Sequence, residues 1–174
     1  MSFSSDIKKE LCDVKSLSPQ QAESMLYGIM YASRMDEGRP LIQTENLDLM
    51  NAAGELIRTV FPKAHTGIVR LVKNSGSLYT LKVRSGWEDI AERFGDFSEI
   101  SGNAVSGGDE ESGAFLRGVF VSCGSVTDPN KEYHLELVLP ENDRTPALLD
   151  FIAEHGMSLK ETTRGGARSK KTVL

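Results

Sequence analysis

Apolar residues recur at helical spacing through the opening segments of the chain and give way to strand-like alternation further on. Ile7, Leu11 and Val14 fall at i, i+4 and i+7 and predict an N-terminal helix capped by Ser4 or Ser5. Ser18-Pro19-Gln20-Gln21 is a second helix start: serine sits at the cap, proline in the first turn, and glutamine can reach back to the cap. Leu41 to Glu45 reads as a strand. Asn46 then caps a helix with Leu47, Met50, Ala53, Ile57 and Val60 on one face, ended near Phe61-Pro62. Alternation governs residues 66–73 and 77–84, two strands divided by Asn74-Ser75-Gly76. This hairpin predicts Val69, Leu71, Tyr79, Leu81 and Val83 facing inward, with Arg70, Lys82 and Arg84 on the opposite face. Ser85 and Glu88 have capping-box spacing for a short helix bearing Trp87, Ile90, Ala91 and Phe94, stopped by Gly95.

One pattern occurs twice. Ser24, Gly28 and Ala32 form a ridge of small residues in one apolar helical segment, and Ala114, Gly118 and Ser122 form the same ridge in another. A glycine inside a helix costs on the order of 1 kcal/mol against alanine, so its presence in both segments asks for a packing reason. Small residues every fourth position let two helix backbones approach closely, which predicts a pseudo-twofold pair of central helices in contact along these ridges. Tyr27 and Tyr31, one turn apart, read as core packing.

The second half follows the order of the first. Gly113 to Cys123 is its central helix, Tyr133 to Leu139 a strand, and Thr145-Pro146 opens a helix containing Leu148, Leu149, Ile152 and Ala153. Leu159 to Arg164 and a stretch from about Ser169 repeat the hairpin. The expected organisation is an N-terminal arm at 1–17, a first repeat at 18–95, a Gly/Ser/acid-rich linker of mobile composition at 96–112, and a second repeat at 113–174. The second repeat reads as cut short, because the counterpart of the Trp87 helix is missing. The fold class is α+β, with two pseudo-symmetric lobes around the helix pair.

Composition narrows the function classes. The chain has 174 residues, 39% apolar and 26% charged, which suits one globular unit with a sizeable core. No apolar run reaches membrane-spanning length, and Met1 to Glu10 carries charges where a signal peptide would be apolar, so no membrane partner and a cytoplasmic, nucleoid-associated location are expected. Cys12 and Cys123 have no paired spacing and read as reduced, buried thiols. His65, His134 and His155 are isolated, no phosphate loop is present, and neither cofactor nor metal is expected. The net charge of −5 hides an uneven distribution. Arg70, Lys82 and Arg84 in the first half and Lys160, Arg164, Arg168, Lys170 and Lys171 in the second form two basic ribbons, while acids gather between 85 and 111.

The doubled α-β-β-α-β-β-α unit, with central helices ending in small-residue turns, resembles the LAGLIDADG homing-endonuclease fold over roughly residues 18–174. The segment Phe115-Leu116-Arg117-Gly118-Val119-Phe120-Val121-Ser122-Cys123-Gly124-Ser125 lies over that family's helix, and Met25 to Met35 is a weaker copy. More narrowly, Met1 to Leu11, Phe115 to Phe120, Gly124 to Pro129 and Tyr133 to Glu136 are similar to the WhiA family. That resemblance implies a bacterial transcription regulator linked to sporulation and cell division, in which a LAGLIDADG-like domain precedes a helix-turn-helix reader of DNA. No helix-turn-helix follows in this sequence, and the chain is read as a fragment or a short paralogue.

The resemblance also allows a test on chemistry. Homing endonucleases of this fold place a carboxylate at the foot of each central helix, where hard oxygen ligands hold the divalent metal that activates water. Here those positions hold Ser33 and Cys123, so a metal-dependent nuclease is the least favoured reading and no catalytic residue is assigned. The expected function is a non-catalytic, DNA-associated regulator domain. Its basic residues would make weak contacts, mainly to phosphates. The alternative is a protein-docking module without DNA binding of its own, its partner another regulator or the missing helix-turn-helix.

Overall fold

Ser18 starts the helix around which the other elements are arranged. In the computed structural model, which describes residues 2–105, 107–131, 134–140, 144–163 and 169–173, with side chains through residue 160 except Pro140, α2 runs Pro19–Tyr31. The Ser18 hydroxyl accepts from the Gln21 amide (3.2 Å) and the Gln21 side chain accepts from the Ser18 amide (2.9 Å), which satisfies two donors left over at the helix start. Helix α5, Asp109–Cys123, packs along α2 in the most extensive helix contact of the chain. The contact is tight enough to exclude a methyl group. A Cβ on Gly28 would lie 2.1 Å from the Phe115 carbonyl oxygen, and one on Gly118 would lie 2.1 Å from that of Met25. Ser24 and Ala114 are buried beside this contact, and Ala32 and Ser122 lie at its carboxyl end.

Helix α1 (Phe3–Leu11) lies against α5 and against α3 (Leu47–Val60). The first sheet has the order β1-β2-β4-β3, from Arg34–Asp36, Arg39–Thr44, Gly76–Ser85 and His65–Lys73. The second has the matching order β5-β6-β8-β7, from Gly124–Val126, Leu135–Pro140, Ser169–Val173 and Lys160–Thr163. All pairings are antiparallel. Helices α4 (Trp87–Phe94) and α6 (Thr145–Glu154) complete the elements. Each sheet turns one face toward helices: Ile42 and Leu81 are buried in the first, Leu137 and Leu139 in the second. Tyr27 sits at the centre of the core, with Phe94, Phe97 and Phe115 rings at 4.9, 5.5 and 5.7 Å. Full burial of each such ring contributes roughly 1.5–3 kcal/mol.

Several sequence expectations are corrected. Val69 and Leu71 do not face the core: they are 47% and 57% exposed. The register pairs Ile68 with the buried Leu81 and Arg70 with Tyr79, so Arg70 shares the helix-side face and Val69 and Leu71 share the face of Lys82. The physical reason is position: β3 is an edge strand, accessible on both faces over most of its length, so its apolar alternation does not report a buried side. The Ser85 capping box does not form, because Ser85 ends β4 and its hydroxyl bonds the His65 ring (3.0 Å), leaving Gly86, at φ +78°, as the cap of α4. Helix α1 is capped by Ser2, and Leu47 on α3 is exposed. The Gly/Ser/acid-rich connection is held against α2: Ser24 donates to the Ala104 carbonyl (2.6 Å), the Tyr27 hydroxyl donates to the Glu99 carbonyl (2.9 Å), and Phe97 and Ala104 are buried. Its acids Asp109, Glu110 and Glu111 form the first turn of α5, where the helix dipole favours them.

Candidate nucleic-acid interface

The faces of the two sheets turned away from the helices are the surfaces that cations could present to a partner. On the first sheet, register places Lys82 and Arg84 there, with the Arg84 guanidinium lying over Gly67. Arg34, paired with Leu41, stands on the same face. Arg70 lies on the other face and donates to the Ser77 hydroxyl (2.9 Å). On the second sheet, Lys160 and Lys171 occupy outward register positions, whereas Lys170 pairs with the buried Leu139 and takes an inward one. Arg164 and Arg168 lie outside the described residues. The outward faces are not purely cationic. Val69, Leu71 and Val138 are exposed on them, and Glu136 sits on the second with its carboxylate bonded to His134 (2.8 Å).

Between the sheets a cavity of about 800 Å³ reaches down to the feet of the central helices. Arg34, Leu41, Gln43 and Val138 line it at outward strand positions, and Ser33, Ser122 and Cys123 line it at the helix ends. Ser33 and Cys123, the positions that the resemblance sets against endonuclease acids, are held alike: Ser33 donates to the Ile29 carbonyl (2.7 Å) and the Cys123 thiol to that of Val119 (3.2 Å). Each side chain thus bonds back into its own helix. Burial pushes the Cys123 thiol up to about 12 from 9.0, and the nearby Lys8 ammonium only partly offsets this. Burial also lowers the Lys8 pKa from its ordinary value. Among the described residues no carboxylate lines this cavity and no cluster of metal-ligating side chains exists. With Lys8 and Arg34 as its charged lining residues, the donor set does not fit a divalent cation.

Three residues of this region carry no sequence motif: Lys8, Arg34 and Arg144. Arg144 is buried at the start of α6 and donates to the Tyr31 (2.8 Å) and Ser33 (2.7 Å) carbonyls. Its guanidinium, 5.5 Å from the Tyr31 ring centre, thereby answers the negative end of α2. Arg117 on α5 donates to the carbonyls of Leu11 (2.7 Å) and Asp13 (2.8 Å), which ties down the end of α1 and with it the helix that carries Lys8. The one sequence signal available for Arg34 is the tight Glu37-Gly38 turn, both residues at positive φ, that folds β1 onto β2.

Comparison with known proteins bears on this arrangement. The family model of the WhiA LAGLIDADG-like domain matches residues 112–173. The chain is similar to the WhiA proteins. It is 28% identical over 186 residues to the probable cell division protein WhiA of Clostridium novyi (strain NT), an alignment covering 94% of this chain and 58% of the relative. The chain therefore spans somewhat over half the length of the curated WhiA relatives it matches. The fold is that of the N-terminal LAGLIDADG domain of DUF199/WhiA, whose crystal structure matches with a TM-score of 0.73 at 20% identity, covering 99% of this chain and 85% of that one. The homing endonuclease I-DmoI in complex with DNA and Mn matches with a TM-score of 0.58 at 10% identity, over 90% of each chain.

Proposed function

We propose that this chain is a non-cleaving, DNA-associated regulator domain of WhiA type, acting in the control of cell division and sporulation. The observation that carries the reading is the placement of Lys82 and Arg84 on the outward face of one sheet and of Lys160 and Lys171 at outward positions of the other. Such cations meet phosphates, which positions a duplex without reading its bases. The structural neighbour solved with DNA supports the choice of partner. Ser33 and Cys123, each bonded into its own helix, support the absence of cleavage.

Titration of a labelled duplex at low and moderate salt tests the proposal. Binding that collapses as salt rises is expected, and Lys82→Glu combined with Arg84→Glu should abolish it. A second reading, a docking surface for another regulator protein, draws on the exposed Val69, Leu71 and Val138 of the same faces. Absence of duplex binding at either salt concentration favours that reading. Linearisation of a plasmid with magnesium present would restore the nuclease instead.

A further inference from the structure

The cavity at the helix feet combines three features that the proposed function does not require. Among the described residues its charged lining is two cations, Lys8 from α1 and Arg34 from β1. Neither side chain makes a hydrogen bond or an ion pair to another described residue, although Lys8 is partly buried. Beside them the Ser122 hydroxyl is buried without a hydrogen-bond partner among the described residues, and Ser125 and Gln43 add further neutral polar groups. A buried hydroxyl left unmatched in this way is unfavourable unless something outside the described residues bonds it.

The carboxyl ends of α2 and α5 both reach this place, and their carbonyls favour cations. At α2 that demand is met by Arg144, which bonds two carbonyls directly. Lys8 bonds none, so its role is not that of a helix cap. Two cations that line one recess together with hydroxyls, and with no carboxylate beside them among the described residues, offer the donors an anion needs. A phosphate group fits this donor set, because its oxygens accept from an ammonium, a guanidinium and hydroxyls at once.

We propose that the cavity holds a phosphate group between Lys8 and Arg34, with the Ser122 hydroxyl as an additional donor. The site stands independently of whether the outward faces bind DNA. Its phosphate is either a backbone phosphate of a duplex entering from the outward side or the phosphate of a small free ligand.

The full chain, uniformly labelled with nitrogen-15, is titrated with inorganic phosphate at constant ionic strength while amide shifts are followed. Shifts should concentrate on Ser33, Arg34 and Ser125, and Lys8→Met and Arg34→Gln should each weaken binding by about tenfold, the expected loss of one charge-assisted contact. Lys8→Arg should retain binding, and Lys9→Met, which removes a neighbouring charge outside the cavity, should leave it unchanged. Should Lys8→Met lose its dispersed spectrum, Arg34→Gln, altered on an exposed strand, carries the test. Phosphate that shifts no cavity amide, or binds both variants as it binds the parent, overturns the proposal. Duplex binding then persists or not on its own account. Addition of a short duplex separates the two sources: displacement of phosphate identifies a backbone phosphate, and its retention identifies a free phosphorylated ligand, either of which upholds the site.

Discussion

Gly118 and Gly28 meet so closely that a Cβ on Gly118 would lie 3.1 Å from the α-carbon of Gly28 as well as 2.1 Å from the Met25 carbonyl oxygen. The obstructing atoms are main chain and cannot turn aside as a side-chain tip could. Gly118→Ala and Gly28→Ala should each destabilise by about 3 kcal/mol, a fall of roughly 10 °C in Tm for a domain of this size. Gly113→Ala, where a Cβ meets nothing within 4 Å, should be neutral or slightly stabilising. Thermal unfolding of the three variants measures the contrast.

Arg144 is a buried polar clasp between α6 and the end of α2. Its loss leaves the Tyr31 and Ser33 carbonyls without their charged donor, so Arg144→Met should cost about 2–4 kcal/mol in urea unfolding. Arg144→Lys should recover only part, since a lysine cannot reproduce the two-carbonyl fork.

Position on the sheet, and not charge alone, should decide the effect of each cation on duplex binding. Lys82→Glu should weaken binding and reduce the slope of log K against log salt by about 1, whereas Arg70→Glu on the helix-side face should change both much less. Equal effects from the two reversals would place Arg70 at the interface.

The two thiols make the fold sensitive to alkali, beside the buried Tyr27 and Tyr31 hydroxyls, which burial also shifts upward. Burial raises Cys12 to about 11 and Cys123 to about 12 from 9.0. Above pH 9 the unfolded chain loses these protons while the folded chain keeps them, so stability falls with rising pH, by at most about 1.4 kcal/mol per pH unit between 9 and 11 for Cys123 and by less for the more solvent-screened Cys12. Cys12→Ala combined with Cys123→Ala should flatten that decline in urea titrations at pH 8 and pH 10. Alkylation of Cys123 at pH 8 should also run at least roughly 100-fold slower in the folded chain than in denaturant.

The elements that were legible in the sequence are those with a local signal. The Ser18 box and the Asn46 cap need only nearby residues, and both form hydrogen bonds where their spacing places them. The paired small-residue ridges were legible because a costly glycine in each helix demanded a neighbour. The facing of β3 was not legible: at a sheet edge both faces meet solvent, so Val69 and Leu71 could alternate without being buried. Lys8, Arg34 and Arg144 were equally hidden. Each is a lone cation whose meaning comes from a helix end or strand far away in the chain, and no spacing rule connects Lys8 on α1 with Cys123 at the end of α5.

The unpaired side of β3 has a practical consequence. Nine residues of extended backbone lie at the edge of the first sheet with Ile68, Val69, Leu71 and Val72 all accessible, and Arg70 and Lys73 are like charges that should disfavour pairing with a second molecule. Concentrated stocks in strong salt, where that repulsion is screened, should grow fibrous or turbid sooner than dilute ones in weak buffer. A glutamate in place of Val72 should keep the solution clear.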